Sequence, residues 1–274
     1  MRARLVAVRP YIGVLRMRLI AGFQYRAAAW AGVATQFFFG FVFICIYKAF
    51  YDSADVPPPM PFEQLISYLW MQQAFLALIM LWVQDNALLS DIKSGNIAYE
   101  LTRPVRLYWL WYIRLVALRT SAAAMRCLPI LAVAFFLPKP YAMMPPGSLI
   151  HGLLFAVSMP LGMLLTVAIS MPIYIFGLLA IETAGFRLML NVTAEFFSGQ
   201  VIAIPLMPLW LQNVVVWFPF RYASDVPLRI YSGNLPLNEA LTCIGLQIFW
   251  IAALMLIGQW ALRGALRRLV VQGG

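Results

Sequence analysis

Six long apolar runs restrict the fold of this chain more than any other feature. They cover about residues 27–50, 62–84, 115–137, 149–180, 186–204 and 238–262, and a helix needs about 20 apolar residues to cross a bilayer. Only 11% of the residues are charged, against about 25% in soluble domains. The runs are also too long and too evenly apolar for the alternating strands of a membrane barrel. The sequence therefore predicts an all-α membrane protein, a single domain over 1–274 with six transmembrane helices.

The positions of the basic residues predict how these helices are oriented. Cytoplasmic loops collect Lys and Arg, and 16 of the 20 basic residues fall on one side of the predicted spans. The four on the other side are Lys48, Lys139, Arg221 and Arg229. This asymmetry explains the net charge of +10 without a nucleic-acid partner. It predicts an inner-membrane protein with both termini in the cytoplasm.

Three segments have patterns that differ from a simple span. Residues 1–24 carry a narrow apolar stripe flanked by arginines, which predicts an amphipathic helix lying on the membrane; the stripe is Val8, Ile12, Leu15 and Leu19. Residues 85–106 form a cytoplasmic loop before a third span over 107–137. Residues 205–235 contain four prolines and many aromatics, which predicts two short helices that re-enter the outer leaflet as a hairpin.

The cytoplasmic loop has the composition of a docking surface. Residues 90–109 read SDIKSGNIAYELTRPVRLYW, in which Ser90 or Asp91 can cap a short helix and Ser94-Gly95 supplies a turn. The three large apolar side chains that follow are expected to be exposed, and an exposed apolar patch rimmed by charge is typical of a contact with another protein; they are Ile97, Tyr99 and Leu101.

No pattern in the sequence indicates catalysis or a bound metal. His151 is the sole histidine, and the three cysteines lie far apart. The three lysines follow Tyr47, Ile92 and Pro138, so the chain lacks the Gly-Lys-Ser/Thr of a phosphate-binding loop. The ten acidic residues are expected to be scattered over the loops. We therefore expect no catalytic residue and no cofactor in this chain.

Ionisable residues at membrane depth are costly and often functional. Glu195 lies midway along 186–204, and Arg119 and Arg126 lie seven residues apart on one face of the third span. One interpretation has the arginines extending to the headgroups while Glu195 takes a polar partner such as Arg126. In the other, Glu195 contacts a cationic substrate or forms a gate. Glu182 and Arg187 flank a tight inner turn, either as solvated residues or as contacts for a cytoplasmic partner.

Two segments resemble a known family. Lys93-Ser94-Gly95-Asn96 followed by Leu101-x-Arg103-Pro104-Val105 is similar to the coupling region of ABC-2 type exporter permeases. The stretch from Glu195 to Gly233, EFFSG…IPLMPLWLQ…FPF…P…IYSG, resembles the end of span five and the hairpin of the same family. The branch it most resembles has two permeases and includes viologen-type and multidrug exporters.

The resemblance implies a complex of several subunits. Two permeases, identical or paralogous, would face each other, with one ATPase subunit beneath each and with ATP and Mg²⁺ held by the ATPases. The coupling residues would be Asp91, Lys93, Ser94, Gly95, Asn96, Ile97, Tyr99, Leu101, Arg103 and Pro104. The residues expected along the substrate path or gate are Glu195, Ser198, Gly199, Arg126, Trp210 and Trp217.

The substrate expected from this branch is a hydrophobic or cationic small molecule, and a lipid or lipid-linked glycan is the alternative. Two other classes remain open. A membrane-embedded enzyme acting on a lipid carrier would need acids or histidines clustered near one interface. A secondary transporter would need interrupted helices in both halves of a repeat, whereas only the region after Gly199 is interrupted.

Overall fold

The computed structural model describes residues 2–24, 26–180 and 182–268. Helices account for 76% of the structure, and these ranges contain no strand. In chain order the helices are α1 (Arg2–Gly22), α2 (Arg26–Asp52), α3 (Phe62–Ala74), α4 (Leu76–Ile79), α5 (Asn86–Lys93), α6 (Ala98–Leu101), α7 (Leu107–Phe136), α8 (Leu149–Gly177), α9 (Ala184–Phe197), α10 (Leu209–Val215), α11 (Phe220–Ala223), α12 (Asp225–Ser232) and α13 (Leu237–Arg268), with a 3₁₀ turn at Ile204–Leu206. The predicted all-helical class is confirmed.

Four of these helices are long and apolar enough to cross a membrane. They are α2 from Ala29 onward, α7, α8 and α13, and they coincide with four of the predicted runs. The other two runs contain shorter helices, α3 with 13 residues and α9 with 14. The predicted span over 62–84 is not one continuous helix: it is interrupted at Phe75 and again from Met80 onward. The expectation that only the region after Gly199 is interrupted is therefore wrong.

Helix α8 lies at the centre of the bundle. The stretch Ser158–Ile175 is almost wholly buried against α7, α13 and the short helices α11 and α12. Gly162 permits a close contact with α11, since a Cβ atom there would lie 2.5 Å from the backbone oxygen of Ala223.

The predicted hairpin over 205–235 consists of a 3₁₀ turn and three short α-helices, and its helix α12 is buried in the bundle.

Helix α1 lies along α7 rather than across the ends of the spans. The backbone N–H of Arg106, just before α7, donates to the hydroxyl of Tyr11 at 2.8 Å. At the other end of α1, a Cβ atom on Gly22 would lie 2.3 Å from the Ser121 hydroxyl oxygen. The two contacts require α1 to run beside the first half of α7 in the same direction. The predicted orientation in the membrane plane differs from this arrangement, and Ile12 of the predicted stripe is exposed.

Candidate functional site

Residues 85–106, here called the coupling segment, fold as two short helices at the end of the bundle where α7 begins. The Asp85 carboxylate caps α5 by accepting the Leu88 N–H at 2.9 Å, in place of the predicted caps Ser90 and Asp91. Gly95 follows α5 with φ of +79°, a left-handed conformation that favours glycine. The chain then forms α6 and turns into α7.

The coupling segment has a buried base and an exposed tip. Leu88 and Ile92 pack against α7 and α8. Ile97 is also buried, with 3% of its surface exposed, so its predicted exposure is wrong. The tip consists of Tyr99, which is 74% exposed, and Leu101, which is 39% exposed. The remaining predicted coupling residues are exposed apart from the half-buried Asp91; they are Lys93, Ser94, Gly95, Asn96, Arg103 and Pro104.

A buried arginine of α7 fixes the coupling segment to the bundle. The guanidinium of Arg114 forms a two-point contact with the Asp85 carboxylate, whose second bond, to Oδ1, is 3.2 Å long. It also donates to Glu100 Oε1 of α6 at 3.3 Å. Trp111 donates its indole N–H to the other oxygen of Glu100 at 2.9 Å, and Asp91 lies 3.9 Å from the guanidinium. One side chain thereby holds both short helices.

This cluster corrects the expectation that the acidic residues are scattered. Asp85, Asp91 and Glu100 converge on a single guanidinium near one end of the bundle. The sequence reasoning counted Arg114 only toward the orientation of the spans. An arginine two turns into an apolar helix, facing a loop with three acids, was the signal that could have indicated the pairing. Among the described residues, no group of His, Cys, Asp or Glu is arranged to hold a metal ion.

Residues 80–84, here called the connector, link α4 to the coupling segment without helical structure. Two of their carbonyls accept from Arg119, whose guanidinium donates to Met80 O at 2.6 Å and to Val83 O at 2.9 Å. Ala77 O and Leu78 O lie 3.3 Å from the same group. Arg119 is fully buried, so the interpretation in which it extends to the headgroups is wrong. It acts instead as an internal cap for the interrupted helix.

The connector is also bonded along α9. The indole N–H of Trp82 donates to Glu195 Oε2 at 2.9 Å, and the Gln84 amide donates to Asn191 Oδ1 at 3.2 Å. Just beyond α9, the Gln200 amide donates to Ile79 O at 3.0 Å. These three bonds join α9 side by side to the residues that lead into α5.

The suggested pair of Glu195 with Arg126 is not formed. Glu195 takes Trp82 as its partner, while the Arg126 guanidinium packs against α2, where a Cβ atom on Gly32 would lie 2.7 Å from Cζ. Arg126 is half-buried, and its Nε atom finds no hydrogen-bond acceptor among the described residues.

The inner turn before α9 lies beside the coupling segment. Lys93 Nζ bonds to Glu182 Oε2 at 3.1 Å, and both side chains are about two-thirds exposed. The hydrogen bond from Lys93, and those from the backbone N–H groups of Ala184 and Thr183, lower the pKa of the Glu182 carboxyl. Arg187 is half-buried and lines a cavity of about 290 Å³ together with Lys93 and Glu182. The two predicted inner-turn residues thus share one surface with α5.

The predicted gate residues at the end of α9 lie in a closed junction. Ser198 and Gly199 are buried, and the hydroxyl of Tyr68 donates to Gly199 O at 3.1 Å. The same hydroxyl lies 3.3 Å from Oδ1 of Asp225, which is fully buried at the start of α12. The junction therefore holds α3, α9 and α12 together.

Replacing Gly199 with alanine is expected to destabilise this junction. Gly199 has φ of +79°, and a Cβ atom would lie 3.1 Å from the Tyr68 hydroxyl and 3.3 Å from Asp225 Oδ1. We expect a loss of about 1–3 kcal/mol in the free energy of unfolding, measured by SDS titration in detergent micelles. Gly233→Ala is the matched control, because its φ of +73° is similar but nothing lies within 4 Å of its Cβ position. Equal losses in both variants would show that the junction contributes nothing.

Trp210 and Trp217 of the hairpin lie away from this junction. They are 67% and 79% exposed. Neither lines the apolar cavity of about 470 Å³ that opens between α2 and residues 201–206. That cavity is lined mainly by aromatic side chains and prolines, which the sequence reasoning did not single out; they are Phe43, Tyr47, Phe50, Tyr51, Pro58 and Pro59.

The chain was compared with models of known protein families, with curated proteins and with solved structures, and none of them matches.

Proposed function

We propose that this chain is the permease subunit of an ATP-binding-cassette exporter. The observation that carries the proposal is the construction of the coupling segment. A short helical surface with an exposed apolar tip, Tyr99 and Leu101, is held from beneath by the buried Arg114 cluster. An exposed aromatic on a rigid base is suited to insertion into a groove of another protein, and an unanchored loop could not transmit force to the bundle.

In this proposal the ATPase subunits hydrolyse ATP, and this chain forms part of the translocation path. Two permeases, identical or paralogous, pair within the bilayer, and one ATPase subunit that binds ATP and Mg²⁺ docks on each coupling segment. Closure of the ATPases displaces α5, the connector follows, and α9 moves with it through the bonds of Gln84 and Trp82. ATP binding biases a two-state arrangement of the bundle in this way.

We propose that the chain crosses the inner membrane six times, with both termini in the cytoplasm. Helices α3 and α4 with the connector form the second span, and α9 with the residues up to Ile204 forms the fifth. Both are interrupted, and irregular backbone is tolerated at membrane depth only where protein buries it. The bonds from Arg119 and Gln200 to backbone oxygens of residues 79–83 support this arrangement in the second span. In the fifth span, the bonds from Tyr68 to Gly199 O and from Gln72 to Gln200 O support it.

A hydrophobic or cationic small molecule is the substrate class we propose. The aromatic cavity between α2 and residues 201–206 supports it, because aromatic faces accept both apolar groups and organic cations. A membrane enzyme receives less support. The three carboxylates near Arg114 are the nearest approach to an acidic cluster, and their sharing of one buried guanidinium favours anchoring over acid–base chemistry.

Co-purification with an ATPase tests the proposal. The tagged chain, expressed with its neighbouring genes and extracted in mild detergent, is expected to retain an ATPase subunit. Gly95→Asp combined with Tyr99→Asp should reduce the retained ATPase at least tenfold, because two carboxylates then enter the exposed surface of the coupling segment.

Trp217→Asp provides the matched control. It introduces one carboxylate, as Tyr99→Asp alone does, at an aromatic of similar exposure, 79% against 74% for Tyr99, but on the hairpin far along the chain. This variant should retain the ATPase fully. A chain that purifies alone and stable from every co-expression would contradict the proposed function.

A further inference from the structure

A cleft between α7 and α13 has features that the exporter proposal does not use. Its volume is about 310 Å³, and it lies beside the first turn of α7 and the last turns of α13. Its lining combines two arginines with an amide, an indole and leucines; they are Arg106, Trp109, Gln259, Leu262, Arg263 and Leu266.

A tight helix contact bounds the cleft on one side. Gly258 packs on the ring of Tyr108, where a Cβ atom would lie 2.7 Å from Cε2. The cleft residues follow this contact, on the side of the bundle where α7 begins and α13 ends. Tyr108 itself lines the cleft, and its buried hydroxyl finds no hydrogen-bond partner among the described residues.

The charge of the cleft selects an anion. Arg106 and Arg263 are both exposed, and neither belongs to an ion pair within the described part of the chain. No acidic residue lines the cleft. Two arginines without a carboxylate attract phosphate groups in particular, because the guanidinium fork matches their oxygens.

The surroundings of the cleft select an amphiphile rather than a soluble anion. On α13, Leu256 and Trp260 flank Gln259 and are 69% and 76% exposed. They belong to a helix that is apolar enough to cross the membrane, so this exposed surface faces acyl chains. Indole side chains such as those of Trp109 and Trp260 favour the boundary between headgroups and hydrocarbon.

We propose that this cleft binds the phosphate headgroup of an anionic phospholipid, with an acyl chain lying on the apolar surface of α13. Basic pockets between transmembrane helices at the end rich in Lys and Arg are suited to such headgroups. Apart from Arg106, the last residue of the coupling segment, the cleft lies outside that segment, and its occupancy does not require an ATPase. It would fix the end of α13 against α7 while other parts of the bundle move.

Native mass spectrometry of the purified full chain tests the site. In detergent without any ATPase, phosphatidylglycerol is titrated against phosphatidylcholine, and we expect the anionic lipid to bind at least tenfold more tightly. Arg106→Gln combined with Arg263→Gln should abolish this preference. Gln259→Trp should also weaken binding at least tenfold without a change of charge, because the larger side chain fills the cleft.

Arg267→Gln combined with Arg268→Gln is the matched control. It removes the same charge from exposed residues at the same end of α13 that do not line the cleft, and it should keep the preference for phosphatidylglycerol. Equal losses in the two double variants would overturn the proposal, since general attraction to a basic surface would then suffice. Binding of glycerol phosphate as tight as that of the lipid would also overturn it, because the acyl chain would then contribute nothing.

Discussion

Replacing Arg114 with methionine is expected to release the coupling segment from the bundle. The change leaves the carboxylates of Asp85 and Glu100 without their cationic partner, although their side chains are only 8% and 16% exposed. Removal of one member of a buried ion pair costs about 3–5 kcal/mol. Because this arginine joins both short helices to α7, the loss should be concentrated in the coupling segment.

Limited trypsin digestion measures this release. Lys93 and Arg106 lie in the segment and provide cleavage sites, whereas Arg103 does not, because Pro104 follows it. Cleavage from a locally opened state follows the population of that state, so we expect the rate in Arg114→Met to rise at least tenfold. Arg106→Gln removes an exposed arginine that has no ion pair among the described residues, and cleavage at Lys93 in this variant should proceed at the wild-type rate.

A compensating variant separates the unpaired charges from the loss of packing. Adding Asp85→Asn and Glu100→Gln to Arg114→Met removes the buried charges, and asparagine retains the ability to cap α5. The triple variant should recover part of the protection against trypsin. An unchanged cleavage rate in Arg114→Met would show that the cluster does not hold the segment.

The long helices were predictable because their signal is local. The predicted spans match α2, α7 and α8 to within about three residues, and α13 extends beyond its predicted span at the C-terminal end. The same signal failed at 62–84. Apolar composition reports that a segment is buried, but it does not report how the backbone oxygens are satisfied. In this segment the Arg119 side chain, about 40 residues further along the chain, replaces the helical hydrogen bonds.

The orientation of α1 was not predictable for a related reason. An apolar stripe indicates that one face avoids water, and lipid and a neighbouring helix satisfy it equally well. The close contact of Gly22 with Ser121 favours the neighbouring helix. This contact depends on the absence of a side chain at Gly22, and no periodicity of apolar residues reports it.

The exposed surface of residues 85–106 was predicted from the sequence, but its anchor was not. Charge, a turn and apolar residues between two spans indicated an exposed surface. Which apolar residue points inward depends on the base beneath it, so Ile97 is buried while Tyr99 is exposed. The partners of Arg114 lie 14 to 29 residues before it, and pairing over that separation follows from the packed bundle alone.

Replacing Arg119 with leucine is expected to cause a large loss of stability in the bundle. The guanidinium is fully buried and holds the oxygens of Met80 and Val83. Each buried oxygen left without a donor costs about 1–3 kcal/mol, so the free energy of unfolding should fall by about 3–5 kcal/mol. The measurement is the SDS mole fraction at which half of the micelle-bound protein unfolds, followed by tryptophan fluorescence.

Two variants connect this loss to the hydrogen bonds of the connector. Arg119→Lys retains the charge but replaces the fork with a single ammonium, and it should recover about half of the lost free energy. Arg126→Leu removes an arginine seven residues along the same helix that is half-buried, and it should cost about 1 kcal/mol or less. If leucine at the two positions were equally costly, burial of any arginine in this helix would explain the loss. A larger loss at Arg119 alone would show that its hydrogen bonds stabilise the interrupted span. The same bonds would then also hold the connector, which links the coupling segment to α9.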